Sequence, residues 1–97
     1  MELHRYIQKL DMEVNRFLRD CDTASEILRN GDYQTARRML TDLRDRDAKF
    51  SSHFPAYRTV SLSDQSEASD YLHDCCRTVQ SAKLNLESLF YSYGHSI

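Results

Sequence analysis

The fold is decided by the stretch Leu3-His-Arg-Tyr-Ile7-Gln-Lys-Leu10-Asp-Met-Glu-Val14-Asn-Arg-Phe17-Leu-Arg-Asp-Cys21-Asp-Thr-Ala24-Ser-Glu-Ile-Leu28. Leu3, Ile7, Leu10, Val14, Phe17, Cys21, Ala24 and Leu28 recur at a 4-3-4-3 spacing, with mostly charged or amide residues between them. Steps of three and four return to one side of an α-helix, so this is a helix of about 40 Å with a single apolar seam. It stops at Asn30-Gly31-Asp32. Gly31 can take the left-handed conformation that ends a helix, and Asp32 can cap the next one. A link this short turns the second helix back against the first.

Working outward, the second seam reads Tyr33, Ala36, Leu40, Leu43, Asp47, Phe50, Phe54 and Tyr57, interrupted by Pro55. Proline is a poor interior helix residue, so the helix is expected to end near Ser52 or to kink. From about Arg58 to Ser66 the periodicity lapses into a loop. Asp64 and Glu67, three residues apart, then match a capping box that restarts a helix. The third seam is Ala68, Leu72, Cys75, Val79, Ala82, Leu86, Leu89 and Tyr93, closed by Gly94.

Three seams of similar length can bury themselves only against one another. The expectation is an all-α fold: an antiparallel up-down-up three-helix bundle with heptad, coiled-coil-like packing. Its helices span about 2–29, 33–54 and 65–93 of a single domain, 1–97. A hairpin dimerising into a four- or six-helix assembly would use the same stripes. Pairing the seams about Gly31 sets Leu28 against Tyr33, Cys21 against Leu40, Phe17 against Leu43 and Val14 against Asp47. It also sets Asp47 near Val79, Leu40 near Leu86 and Tyr33 near Tyr93.

Composition narrows the function. The chain has 97 residues, 13 basic and 15 acidic side chains and a net charge of -2, which argues against a nucleic-acid partner. No apolar run approaches the roughly 20 residues of a membrane span. The opening MELHRYIQ carries charges where a signal peptide needs an apolar stretch. Cys21, Cys75 and Cys76 are an odd set, and adjacent helical cysteines point about 100° apart. They read as reduced, core-lining thiols of a cytoplasmic, intracellular protein, a redox or metal site being the alternative.

Four features carry possible chemistry. Asp47 falls on the apolar seam. Either the helix rotates locally, so that Ala48 or the Arg44 stem fills the seam and Asp47 reaches solvent or an arginine, or Asp47 is a buried residue that fixes register. A catalytic acid would need a second group and a cleft. His4, His53 and His73 gather at one end with Asp70, Asp74 and Cys76, without any spaced metal motif, so neither a metal nor a cofactor is expected. Arg37, Arg38, Asp42, Arg44, Asp45, Arg46, Asp47 and Lys49 alternate in sign, as on a solvated face or an arginine-rich dock for an acidic partner.

Finally, Leu84 and Tyr91 lie seven apart, opposite the core stripe, with Phe90, His95 and Ile97 nearby and Ile27 and Met39 also off their seams. Surplus apolar groups at one end of a bundle suit a partner-binding surface. The alternative is that Phe90 and Ile27 widen the core and the tail covers Leu84. No phosphate loop, nucleophile elbow or zinc-protease motif occurs, so no enzyme is expected.

The length, equal seams and short first turn resemble a spectrin-type repeat, although Phe17 stands where such repeats usually carry tryptophan. Other stretches are similar to the BAG-type co-chaperone domain: Leu10-Asp-Met-Glu-Val-Asn-Arg-Phe17, Tyr33 followed by Met39-Leu40-Thr41, and Arg77-Thr-Val-Gln80 leading to Leu86-Glu-Ser-Leu89. That resemblance covers about a third of the chain and implies binding to the nucleotide-binding domain of an Hsp70, with Arg77 and Gln80 as contacts. Where the family has a basic residue about two turns before the glutamine, this chain has Leu72, followed by His73.

The expected function is a non-enzymatic protein–protein interaction or adaptor module. Its apolar anchors are Leu84, Phe90 and Tyr91, rimmed by Arg37 and Arg38. Its partner is another protein or a second copy, with no nucleic acid and no membrane insertion. A BAG-like co-chaperone, a client-holding secretion-type chaperone and a structural homo-oligomer are the alternatives.

Overall fold

The computed structural model describes residues 2–53 and 59–95, the side chains of 51–53 excepted. Over these residues the chain is all-α: α1 (Leu3–Arg29), α2 (Tyr33–His53), a 3-10 turn (Leu62–Asp64) and α3 (Gln65–Ser92), with no strand among them. They form a rod of 49 × 17 × 15 Å. Phe54, Pro55, Tyr57, Ile97 and the side chain of His53 lie outside the described residues.

The turn at Gly31 forms as its sequence demands. Gly31 adopts φ +92°, its N–H donates to the Leu28 carbonyl at 3.0 Å, and the Asp32 N–H donates to Ile27 at 3.1 Å. Those two bonds make a Schellman motif, which satisfies carbonyls that the end of α1 would leave open. Asp32 then caps α2, its Oδ1 accepting the Thr35 N–H at 3.2 Å. That bond holds the Asp32 carboxyl below the usual carboxylate range.

The second expected cap does not form. Asp64 already has helical backbone (φ -100°, ψ -10°) and makes no side-chain cap bond. It accepts the Ser61 hydroxyl at 2.9 Å instead, because the 3-10 turn feeds straight into α3 and moves the start of the coil one turn earlier. Gln65 Nε2 donates to the Val60 carbonyl at 3.2 Å, and Val60, in the stretch read as loop, is buried in the core.

The core runs the length of the rod. Leu10, Val14, Phe17, Cys21, Ala24 and Leu28 of α1 meet Ala36, Leu40, Leu43 and Phe50 of α2. From α3 come Ala68, Leu72, Cys75, Val79 and Leu86. Tyr6 and Phe90, neither a member of the expected seams, are also fully buried. Ile27 and Met39 pack against this core in part, which accounts for their positions off the seam. Tyr93, expected near Tyr33, is about half exposed, whereas Tyr33 is only partly exposed. Its ring lies edge-on to Phe90 at 5.8 Å and stacks on His95 at 3.8 Å.

Candidate interaction surface

Polar side chains first tie the helices together. Arg46 reaches Asp20 of α1 at 2.6 Å and Asp42 of its own helix at 3.5 Å, with its guanidinium 5.5 Å over the Phe17 ring. Arg44 meets Glu87 of α3 at 3.3 Å, and Lys49 pairs with Asp45 at 3.2 Å. Tyr71 donates its hydroxyl to Asp11, which pushes the phenol up to about 12. Most of the alternating charge on α2 is therefore spent between or along helices, leaving Arg37 and Arg38 as its exposed arginines.

Asp47 does not rotate out of the seam. Its carboxylate is 16% exposed and pairs at 2.8 Å with Lys83 Nζ, itself 20% exposed. Arg44 is engaged elsewhere and Ala48 faces solvent, so neither fills the seam. A lysine supplied by α3 offsets part of the cost of placing a carboxylate against the core, because each charge replaces some of the hydration the other gives up. Lys83→Met should strand that carboxylate and cost about 1–3 kcal/mol. Adding Asp47→Leu should recover most of the loss, and urea unfolding of the three variants checks it.

The thiols are unsuited to nucleophilic work. Burial pushes both Cys21 and Cys75 up to about 11, and burial followed by the Asp47 charge raises Cys76. At neutral pH they stay protonated, and the thiolate is the reactive form. His4 and His73 are exposed. Among the described residues no group of three His, Cys, Asp or Glu side chains is placed to hold a metal.

The outward face of α3 is the candidate surface. Leu84 is 50% and Tyr91 57% exposed, and Arg77 and Gln80 are exposed as well. Steps of three, four and seven put His73, Arg77, Gln80, Leu84 and Tyr91 in one row on the side away from Leu86 and Val79. Arg77 also pairs with Asp74 at 2.8 Å.

Three expected members do not belong to that row. Phe90 is 0% exposed, because it sits one turn beyond Leu86 and its ring fills the space between Tyr33 and the bundle axis. Arg37 donates to the Tyr33 hydroxyl at 2.9 Å. Arg38 lines a shallow pocket with Asp20, Met39, Asp42 and Leu43, so it faces the α1 side and cannot rim Leu84. The described part of the tail, up to His95, turns toward α2 rather than over Leu84. Gly94, at φ +80°, sends the His95 N–H back to the Phe90 carbonyl at 3.1 Å, and His95 lands on Tyr33.

Between α1 and α3 lies an open groove of about 320 Å³, floored by Leu18, Cys21, Leu86 and Leu89 and edged by Asp22 and Arg29. Among the described residues no helix is long and apolar enough to cross a membrane. Comparisons with protein-family models, with curated proteins and with solved structures returned no match.

Proposed function

We propose that this chain is a non-enzymatic protein-interaction module that docks a partner protein on the outward face of α3. The observation that carries the reading is the pair Leu84 and Tyr91, both about half exposed or more on a helix that already buries a complete apolar stripe. Apolar side chains in excess of what the core uses lower the cost of docking, because the helix beneath them is already ordered. Arg77 and Gln80 give the same row its polar rim.

The reading takes the bundle as antiparallel and up-down-up. In support, Tyr33, Arg44 and Asp47 of α2 meet Phe90, Glu87 and Lys83 of α3, so chain position rises on one helix as it falls on the other. Asp11 meets Tyr71, and the groove joins residues 18–29 to 82–89, so α1 and α3 run alongside each other in the same sense. Leu10, Val14, Phe17, Cys21 and Ala24, all buried, support coiled-coil-like packing through the middle of the rod. Three free cysteines support a reducing, cytoplasmic setting.

The test is capture of partners from the native cell with the unaltered chain and with Leu84→Asp. The substitution should abolish retention of a specific protein while shifting stability by no more than about 0.5 kcal/mol, since it alters an exposed side chain. Retention that ignores Leu84→Asp sinks the proposal. A mass by light scattering that grows with concentration, and falls in Leu84→Asp, reassigns the face to self-assembly.

A second reading, a BAG-like co-chaperone, is favoured by one observation. Arg77 and Gln80, the residues that carry that resemblance, share the exposed face. Accelerated nucleotide release from an Hsp70, lost in Arg77→Ala with Gln80→Ala, would select it over the adaptor reading.

A further inference from the structure

A second surface, independent of the face on α3, lies on the outer side of α1. Arg5, Lys9, Met12, Arg16 and Arg19 follow a 4-3-4-3 spacing of their own, offset from the core seam, and all five are exposed. The row is about 21 Å long from Arg5 to Arg19 at the helical rise. Met12, at its centre, is 67% exposed.

What distinguishes this row is how few of its cations the fold engages. Three of the five acids of α1 are engaged toward the neighbouring helices: Asp11 accepts from Tyr71, Asp20 from Arg46, and Asp22 edges the groove toward α3. Lys9 and Arg19 form no ion pair among the described residues, and Arg16 approaches Glu13 only to 3.9 Å. Arg5, at the end of the row, shares a recess with Glu2 and Asp64, which offset its field. The positive centre is therefore Lys9, Arg16 and Arg19 around Met12. These bases stand on the side of α1 opposite its buried stripe, although the chain as a whole has net charge -2.

The chemistry selects the occupant. A phosphate polymer has no use for one thioether in the middle of a single row of bases, and a membrane surface would call for more than one apolar side chain. A helix with carboxylates three and four residues apart meets such a row side by side, as in paired helices whose flanking charges set their register. One apolar side chain of that helix would cover Met12, a side chain suited to irregular contacts. We propose that this row docks an acidic helical segment of another protein, its carboxylates on Lys9, Arg16 and Arg19. With the α3 face, the rod would then hold two partners on different sides.

The test uses the full chain and a labelled synthetic helical peptide. Its glutamates repeat the spacing of the four bases, and a leucine stands opposite Met12. A control peptide has the same composition with its acids scattered round the helix. Fluorescence anisotropy should show saturable binding that weakens about tenfold or more in Arg16→Glu with Arg19→Glu, and that weakens with added salt. Met12→Glu should weaken it too. Thermal melting should be unchanged, since every altered side chain is exposed. If a reversal disturbs the fold, Arg16→Gln with Arg19→Gln should still weaken binding. Binding indifferent to these substitutions, or equal affinity for the control peptide, overturns the proposal. So does tighter binding of duplex DNA or of anionic phospholipid vesicles, or self-association of the chain that the reversal abolishes.

Discussion

Val79→Asp is expected to unfold the protein at neutral pH. Val79 is completely buried at mid-rod, between Cys75 and Leu86 on the inner face of α3. The cation one helical turn further on, Lys83, is held by Asp47 at 2.8 Å, and Arg77 lies on the outward side paired with Asp74. A new carboxylate there has two options, and both are unfavourable. Ionised and unpaired, it costs several kcal/mol; sharing Lys83 leaves Asp47 short of a partner. Total stability of domains this size is about 5–15 kcal/mol, so a penalty of about 4 kcal/mol or more, with the lost valine packing added, removes most of it. The sign with pH follows from linkage. The introduced carboxyl has its folded pKa raised by burial, so the variant lies closest to the parent below the unfolded value of about 4 and loses ground as pH rises. Far-UV circular dichroism across pH 3 to 8 checks both statements. A cooperative melt near that of the parent at pH 7 would mean that α3 faces the core with a different stripe.

How far the molecule could be read from its residues depends on which signal each one carries. The 4-3-4-3 spacing located α1 and its buried stripe because a helix repeats its environment every three or four residues. Gly31 and Asp32 were legible because the backbone conformation and the cap each demand those residue types. Tyr6 and Phe90 escaped for one common reason. A strict heptad repeats every 3.5 residues, whereas a straight helix has 3.6, and the seam drifts by about 20° per heptad. Tyr6, Phe17 and Leu28 are spaced by eleven, as are Ala68, Val79 and Phe90, and all six are almost fully buried. The drift passes unnoticed at mid-rod and decides the ends, where it exchanges Tyr93 for Phe90.

Other features were out of reach of periodicity altogether. Val60 is buried as a single residue in an aperiodic stretch, anchored through its carbonyl by Gln65. The partner of Asp47 required the α2–α3 register, which a spacing pattern constrains only to about a turn, and the lysine that fills it lies off the α3 seam. The candidate surfaces divide along the same line. Leu84 and Tyr91 could be placed outside the core by counting. The unspent character of Lys9 and Arg19 could not, since it depends on which acids the fold engages, although their spacing with Arg5, Met12 and Arg16 was there to be counted.

Phe90→Ala should cost about 3–5 kcal/mol, the range for truncating a fully buried aromatic side chain. The loss has two components. Removing the ring forfeits its own burial and leaves a hole at the end of the rod that the short α1–α2 turn cannot close, because Gly31 and Asp32 hold that turn with three backbone and cap bonds. It also removes the support of the Tyr33 ring, which meets Phe90 edge-on at 5.8 Å and stacks on His95 at 3.8 Å, His95 itself lying edge-on to Phe90 at 6.5 Å. The aromatic contact adds about 0.5–1.5 kcal/mol beyond area burial. Phe90→Leu should recover part of the first component and little of the second. Tyr91→Ala, one residue along and 57% exposed, should stay within about 0.5 kcal/mol of the parent. The comparison between neighbours is the sharper measurement, because propensity and chain position are nearly the same and only the side of the helix differs. Urea midpoints of the three variants read it directly. Equal losses for Phe90→Ala and Tyr91→Ala would bury Tyr91 and remove the apolar anchor from the outward face of α3, whereas a wide gap leaves Tyr91 free to contact a partner.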